Sequence, residues 1–197
     1  VENVSGPAGK DVVQIWYQSP YTGYDAENGV EKSAVQLADY VKTDMLAEGE
    51  SKQYTVTVEL ANCASYDAKG AGTYIMDAGE HYFALGNGAH DALNNILAAK
   101  DLTDEQKART DAPGDASKVR VMTVNELDDK TFSTSRYTGK KITNLFDDAD
   151  ITKWTDGVTY LTRGDWNTFP ETYDGLTASE GLMKRLACNE DITGEGY

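Results

Sequence analysis

The chain has 197 residues, of which 40% are hydrophobic and 10% aromatic, a composition that supports a packed core and excludes the disordered class. It carries 33 acidic and 18 basic side chains, for a net charge of −15. An acidic chain without basic clusters repels phosphate backbones and anionic lipids, so we expect neither nucleic acid nor a membrane surface as a partner. No stretch approaches the roughly 18 apolar residues of a membrane span.

The first ninety residues contain several short stretches typical of β-strands, separated by turn-forming residues. Residues 11–17 (DVVQIWY) are dense in β-branched and aromatic side chains, which predicts a buried strand. Residues 52–60 (KQYTVTVEL) alternate most clearly, with Tyr54, Val56 and Val58 predicted on one face. Further strands are predicted at 1–4, 34–41, 73–76 and 81–85. Short strands at this spacing predict an antiparallel β-sandwich.

After residue 86 the pattern changes to short helices and irregular stretches. Asp91 predicts a helix cap, and the pairs Thr103–Gln106 and Thr177–Glu180 predict two capping boxes. Residues 119–124 (VRVMTV) predict one more strand. The hydrophobic periodicity of this half is weak, so we expect it to lie against the sandwich or against another domain.

The predicted fold class is therefore mainly β. We expect a sandwich over residues 1–90 and a less regular connector with short helices over residues 91–197. The chain begins at Val1, inside a pattern typical of a strand, so we expect it to be a piece of a longer protein. Any targeting signal would then lie outside it, and the sequence leaves the cellular compartment open.

Aromatic residues cluster beside residues 19–29 (SPYTGYDAENG), where turn-forming residues predict a loop. Trp16, Tyr21 and Tyr24 are candidates for stacking on a sugar ring, because such rings combine an apolar face with a polar end. Alternatively, either Trp16 or Tyr17 belongs to the core, since neighbours on a strand point to opposite faces, and Tyr21 and Tyr24 anchor the loop. The sequence leaves both interpretations open.

Several motifs of the first hundred residues occur together in a specific order. They are residues 9–17 (GKDVVQIWY), Pro20-Tyr21, residues 32–42 (KSAVQLADYVK), residues 46–51 (LAEGES), Gly72-Thr73-Tyr74 and Ala78-Gly79. Taken together they resemble the fibronectin type III-like domain of glycoside hydrolase family 3. Tyr40 stands where that family usually has Phe.

Two later stretches, residues 144–150 (NLFDDAD) and 158–166 (VTYLTRGDW), resemble the segment that follows this domain in a domain-reordered subgroup of the family. In that subgroup an α/β sandwich and the fibronectin-like domain precede a (β/α)8 barrel. The resemblance implies a parent enzyme that hydrolyses β-glucosides or related glycosides with retention. It also implies that this chain is a structural accessory domain without a cofactor, whose partners are the α/β sandwich and the barrel.

The stretch Gly164-Asp165-Trp166 is similar to the Ser-Asp-Trp motif that carries the family's nucleophile. That nucleophile lies at the end of a barrel strand, and a barrel needs roughly 200 residues or more. This chain lacks eight strand–helix units. We therefore expect no catalytic residue in it, and we expect Asp165 to cap a turn.

The other chemistry-bearing residues do not form a recognisable site. A calcium loop starting at Asp148 would have Lys153 and Thr159 where Gly and Glu are required, so no metal site is predicted. His81 alternates with strand residues and is expected to be a packed or rim histidine rather than a ligand. Cys63 and Cys188 allow either one disulfide or two separate thiols.

Two functions compete with the accessory-domain interpretation. One is a carbohydrate-binding module, which depends on the aromatic residues near the loop at 19–29. The other is a generic interaction or adhesion sandwich of a cell-surface protein. The sequence outside this chain would test the adhesion interpretation, because a downstream barrel would exclude an adhesion sandwich.

Overall fold

A computed structural model describes residues 1–164, 166–169 and 179–187. These residues form six β-strands: β1 Val12–Gln18, β2 Gln36–Lys42, β3 Ser65–Asp67, β4 Thr73–Ile75, β5 Gly79–Leu85 and β6 Val119–Val124. They also form four α-helices: α1 Gly23–Asn28, α2 Ala89–Ala99, α3 Asp104–Lys107 and α4 Glu180–Ala187. None of the helices among the described residues has the length and apolarity that a membrane crossing needs.

The main sheet has four antiparallel strands in the order β2-β1-β5-β6. A second sheet consists of the short hairpin β3-β4. The mainly antiparallel β architecture predicted from the sequence is confirmed. The fourth strand of the main sheet comes from beyond residue 90, so the second half of the chain contributes to the sandwich; the boundary at residue 90 stays a prediction.

One face of the main sheet, which we call the helix face, is covered by α2. Side chains that alternate along the strands point to this face, and Tyr82, Ala84 and Val119 form a buried cluster there with Ala92 and Ile96 of the helix. The helix packs on this side because Tyr82, Ala84 and Val119, together with the half-buried Trp16, give the sheet an apolar patch there.

The opposite face, which we call the strand face, carries Tyr17 and Phe83 from the two central strands. Met122 of β6 extends the same face. Val58 and Cys63, from the segment between the two sheets, pack over it. Both faces of the sheet are therefore at least partly covered, as a layered β domain requires.

The prediction of a strand over residues 52–60 is wrong in one respect. The side chains alternate as expected, with Tyr54, Val56 and Val58 half-buried and Thr55 and Thr57 exposed. The backbone of residues 53–59 forms no regular strand, and among the described residues no strand lies beside it. Alternating hydrophobicity reports which side chains face a core, whereas a strand also needs a hydrogen-bonding neighbour.

The predicted strand at residues 1–4 is also reduced. Only Glu2 forms a bridge, to Ser51, and Gly9 forms a second isolated bridge to Leu46. The remaining predicted strands appear as β2, β4 and β5, with ends shifted by a few residues.

The predicted loop at residues 19–29 contains a helix, α1. Thr22 and Asp25 cap it reciprocally, each side chain bonding to the other residue's backbone N–H. Gly29 closes the helix at φ 64°, a left-handed conformation that glycine adopts without steric cost. Thr22 and Gly29, which belong to the stretch predicted as a loop, are the two caps of this short helix.

The connector is fastened to the sheet through α2. The buried Asn95 side chain donates to the carbonyl of Leu85 at 2.8 Å and accepts from the amide of Asp115 at 2.8 Å. A Cβ on Gly114 would lie 1.9 Å from the backbone oxygen of Asn94, so only glycine allows this close approach. Asn95 therefore links the end of β5 to the stretch that leads into β6.

Two of the three predicted helix starts can be compared with the structure. Asp91 lies inside the first turn of α2 rather than before it, and its carboxylate accepts from the amide of Asn87 at 2.9 Å. The capping box of Thr103 and Gln106 is confirmed at α3. Thr177, the predicted cap of the last helix, lies outside the described residues, and α4 is described from Glu180 to Ala187.

Candidate functional site

The three aromatic residues proposed for sugar contact have separate packing partners. Trp16 is half-buried against the cluster beneath α2, and its indole N–H donates to Gln14 Oε1 at 3.1 Å. The Tyr21 ring lies beneath the guanidinium of Arg163, at 4.7 Å from the ring centre. The Tyr24 hydroxyl donates to Asp67 Oδ2 at 2.5 Å. No shared stacking platform follows from these contacts.

The most prominent polar feature is a buried ionic cluster of Lys32, Asp25 and Asp77, which we call the Lys32 cluster. Lys32 Nζ lies 2.6 Å from Asp25 Oδ1 and also contacts the Asp77 carboxylate. The three side chains are 4%, 0% and 3% exposed, respectively. The ammonium also donates to the Pro20 carbonyl at 3.3 Å, so the cluster ties the α1 region to the turn before β5.

The cluster places two carboxyl groups around one cation away from water. Burial raises the pKa of Asp77 above its ordinary value, the neighbouring Asp25 adds to this, and Lys32 opposes it. Removing Lys32 would leave both acids buried without a counter-charge. Structural integrity therefore depends on this lysine.

His81 and Tyr17 extend the buried network from Asp77 into the strand face. The Asp77 backbone carbonyl can only accept, so His81 Nε2 carries the proton in the 2.9 Å contact between them. Nδ1 must then accept from the Tyr17 hydroxyl at 2.6 Å. Burial lowers the pKa of His81 and raises that of Tyr17, so both groups stay neutral at neutral pH. The expectation of a packed histidine agrees with this position.

A second polar contact fixes α1 to the β3-β4 hairpin. Asp67 accepts hydrogen bonds from the Tyr24 hydroxyl and from the amides of Gly70 and Ala71. Although burial acts to raise it, these bonds hold the pKa of Asp67 below its ordinary value. The bond to Asp67 raises the pKa of Tyr24 to about 12. Tyr24 thus serves as a loop anchor in this structure.

The Lys32 cluster does not have the geometry of a glycosidase site. A retaining glycosidase needs two carboxyl groups that receive the substrate between them. Asp25 and Asp77 are close enough to share one ammonium, but neither is accessible to a sugar. The described residues contain no group of three His, Cys, Asp or Glu side chains placed to hold a metal ion.

Sequence reasoning missed the Lys32 cluster. Its acids stand 52 positions apart in the chain, at 25 and 77, and meet only because β5 lies beside β1. One local signal was available, since Thr22 followed three residues later by Asp25 is a helix-start pattern. Nothing local indicated that Lys32 would be buried between them.

The remaining sequence candidates fall in the connector. Asp165 and Cys188 lie outside the described residues. The acidic residues near Asp148 form an exposed turn in which Lys153 pairs with Asp147 and lies 3.5 Å from Asp148. Arg163 donates to the Lys32 carbonyl at 2.9 Å, which brings the connector back to the α1 region.

Comparison with protein families now decides the domain type. Residues 11–89 match the model of the fibronectin type III-like domain. This part of the chain is a fibronectin type III-like domain. The domain includes β1 to β5 and α1, and with them the Lys32 cluster, so the cluster belongs to the interior of the domain itself. The predicted fibronectin-like class is thereby confirmed.

Two curated relatives are similar to this chain. It is 33% identical over 94 residues to beta-glucosidase A of Butyrivibrio fibrisolvens, covering 46% of the chain and 11% of that protein. It is 32% identical over 133 residues to a beta-glucosidase of Ruminococcus albus, covering 64% of the chain and 13% of that protein. The chain thus spans little more than a tenth of these relatives, and the resemblance to the fibronectin type III-like domain of a family 3 enzyme is confirmed.

Part of this chain is structurally similar to part of several solved proteins. One is beta-glucosidase 3B from Thermotoga neapolitana, at TM-score 0.42 and 20% identity, covering 64% of this chain and 13% of that one. Another is a GH3 beta-glucosidase from Bifidobacterium adolescentis, at TM-score 0.43 and 17% identity, covering 68% and 15%.

We predict that Lys32→Met destabilises the domain by about 3–5 kcal/mol, because it leaves two buried carboxyl groups without their cation. Urea unfolding followed by tryptophan fluorescence measures the free energy of unfolding. Lys52→Met is the matched control, since Lys52 pairs with Asp44 at the exposed surface, where such pairs contribute little. Equal small effects of the two substitutions would contradict a structural role for the cluster.

We predict that His81 makes the domain less stable as the pH falls below about 6.5, the pKa of an unfolded histidine. The folded state holds His81 neutral, so the unfolded state binds more protons than the folded state in this pH range. Protonation therefore stabilises the unfolded state relative to the folded state, and the free energy of unfolding falls. The His81→Gln variant should show a shallower decline of melting temperature between about pH 6.5 and 5.

His90 provides the control for this measurement. Its side chain is 72% exposed beside Asp111. His90→Gln removes the other histidine, and a loss of the pH dependence in His90→Gln but not in His81→Gln would refute the assignment to His81.

Proposed function

We propose that this chain is a non-catalytic accessory domain of a larger glycoside hydrolase that acts on β-glucosides or related glycosides. The observation that carries the proposal is the fibronectin type III-like match over residues 11–89 together with two relatives named beta-glucosidases. Since the chain spans about a tenth of each relative, most of their length remains for other domains. The α/β sandwich and the barrel of the parent are the proposed partners.

The interior of the domain supports a structural role. Its buried charges are paired with one another, and its buried histidine is neutral and doubly hydrogen-bonded. Groups arranged in this way stabilise a fold but cannot contact a substrate. The retaining chemistry proposed for the parent would then use carboxyl groups outside this chain.

The surface of the connector supports contact with other domains. Four large apolar side chains, Tyr137, Leu145, Phe146 and Trp154, are 75–86% exposed. Exposed apolar groups of this size are typical of surfaces that become buried on association. We infer that residues 125–164 lie against a neighbouring domain of the parent, which would fix the placement of the fibronectin-like domain relative to it.

We predict that the purified chain releases no nitrophenol from an aryl β-glucoside above the uncatalysed rate, whereas the parent-length enzyme does. The assay follows absorbance at equal molar concentrations. Release by the chain that disappears in Asp165→Ala would overturn the non-catalytic assignment, because it would place the nucleophile in this chain. Release that survives this substitution would point to contamination or to another residue.

We predict that Trp16, Tyr21 and Tyr24 give no saturable sugar site. Trp16 packs against the cluster beneath α2 and the Tyr21 ring lies beneath Arg163, so stacking of a sugar on these two rings would require those contacts to break. Titration with cello-oligosaccharides or soluble β-glucan, monitored by tryptophan fluorescence, measures binding. A saturable change at millimolar sugar that is lost in Tyr21→Ala would support a carbohydrate-binding module instead.

A further inference from the structure

The Lys32 cluster contains more acidic groups than basic ones. Lys32 supplies one positive charge, whereas Asp25 and Asp77 would carry two negative charges if both were ionised. The three side chains are at most 4% exposed, so an excess charge in the cluster would have little contact with water. An uncompensated charge in such a place is costly, and a titratable group becomes neutral instead. One charge of the cluster is therefore unbalanced unless one of the acids holds a proton.

The strands beside the cluster supply no second positive charge. In the described part of the chain, Lys32 is the only basic side chain that forms an ion pair with either acid. His81 of β5 is neutral, because it donates to the Asp77 carbonyl through one ring nitrogen and accepts from the Tyr17 hydroxyl through the other. Tyr17 of β1 is neutral as well, since burial raises the pKa of its hydroxyl.

The loop and connector groups near the cluster do not balance it either. Arg163 donates to the backbone carbonyl of Lys32 at 2.9 Å rather than to the acids. Glu31 accepts from the Arg163 amide at 3.3 Å and is itself acidic. The Cys63 thiol, which packs with Tyr17 in the strand face, is neutral because burial raises its pKa to about 11. The excess negative charge thus belongs to the two aspartates.

The two aspartates have unequal hydrogen-bond partners. Asp25 Oδ2 accepts from the Thr22 amide at 2.6 Å and from the Thr22 hydroxyl at 3.1 Å, which stabilises an ionised carboxylate. Asp77 Oδ2 contacts Lys32, but the buried Asp77 Oδ1 accepts a hydrogen bond from no described residue. The two carboxyl groups lie within hydrogen-bonding reach of each other, yet two ionised carboxylates have no proton to donate. Asp77 Oδ1 is therefore the oxygen best placed to carry one.

We propose that the Lys32 cluster binds one proton, carried by Asp77 Oδ1 and donated towards Asp25, at pH values at which ordinary aspartates are ionised. With this proton the cluster consists of an ammonium, a carboxylate and a neutral carboxylic acid, and its charges balance. The proton is taken from solvent when the domain folds and returns to solvent when it unfolds. The inference goes beyond the accessory role and does not depend on the activity of a parent enzyme.

The bound proton makes the domain sensitive to pH in the opposite sense to His81. Burial and the neighbouring Asp25 raise the pKa of Asp77, whereas an unfolded aspartate has a pKa of about 3.9. Between these two values the folded state binds more protons than the unfolded state, so the free energy of unfolding falls as the pH rises. The contribution of Asp77 is complete below about pH 3.9 and is lost above its folded pKa. Mild acid thus strengthens the cluster while it opposes folding through His81.

A titration of the aspartate carboxyl carbons by NMR tests the proposal on the unaltered 197-residue chain. We expect the Asp77 signal to titrate with a midpoint at least about one pH unit above 3.9. Asp67 is the internal control, because it is equally buried but accepts hydrogen bonds that hold its pKa below the ordinary value. Any lower midpoint for Asp77 would overturn the proposal. A raised midpoint at Asp25 in place of Asp77 would overturn the assignment of the proton to Asp77.

Two isosteric substitutions provide a second test. The amide of Asp77→Asn can donate to Asp25 and accept from Lys32, as the protonated acid does, so this variant should be at least as stable as the wild type at pH 7. Between about pH 4 and 7 the unfolding constant of the wild type should rise relative to that of the variant, by up to tenfold per pH unit. Asp67→Asn is the matched control and should raise the unfolding constant about tenfold or more at pH 7, because its amide cannot replace an ionised acceptor.

Urea unfolding at several pH values measures both variants. A loss of stability in Asp77→Asn as large as that in Asp67→Asn at pH 7 would show that Asp77 is ionised in the folded domain, and the proposal would be wrong. Failure of Asp77→Asn to fold would count as such a loss. Glycosidase activity of the 197-residue chain would refute the accessory role and leave the titration result intact.

Discussion

The interaction on which much of this domain depends is the burial of Lys32 between Asp25 and Asp77. A charged group in a protein interior is costly unless it is paired, and here one ammonium serves two carboxyl groups that come from distant parts of the chain. This requirement fixes α1 against the turn before β5. From Asp77 the same network continues through His81 to Tyr17, which lies in the strand face. Helix, turn and sheet are thus held by one connected polar interior.

Around this interior, the main sheet uses its two faces differently. The helix face is closed by α2, whose Asn95 also binds the stretch leading into β6. The strand face is closed by the segment that contains Val58 and Cys63, but only at one end. The connector beyond residue 90 supplies β6 to the main sheet. Farther along the chain it carries an exposed apolar surface.

This division of the molecule accounts for the proposed role in a larger enzyme. The buried acidic residues and the buried histidine are paired with other groups of the domain. The large apolar side chains exposed at the surface are of the kind that an assembly would cover. The role proposed for this domain is therefore one of position. The exposed apolar surface of the connector is explained in the same way, by the proposed longer polypeptide, whose reactive carboxyl groups would lie elsewhere.

The sequence by itself determined the strand at residues 11–17, the alternation of residues 52–60, the capping box at Thr103 and the family resemblance, because each depends on residues close together in the chain. It could not decide whether residues 52–60 form a ladder, since that depends on a neighbouring strand. It could not bring Asp25, Lys32 and Asp77 together, because their meeting results from the placement of β5 beside β1. Nor could it place Trp16, Tyr21 and Tyr24, since aromatic residues look alike in sequence whether they face a core, a cation or a sugar. Only the tertiary structure decides these points, because they depend on contacts between residues far apart in the chain.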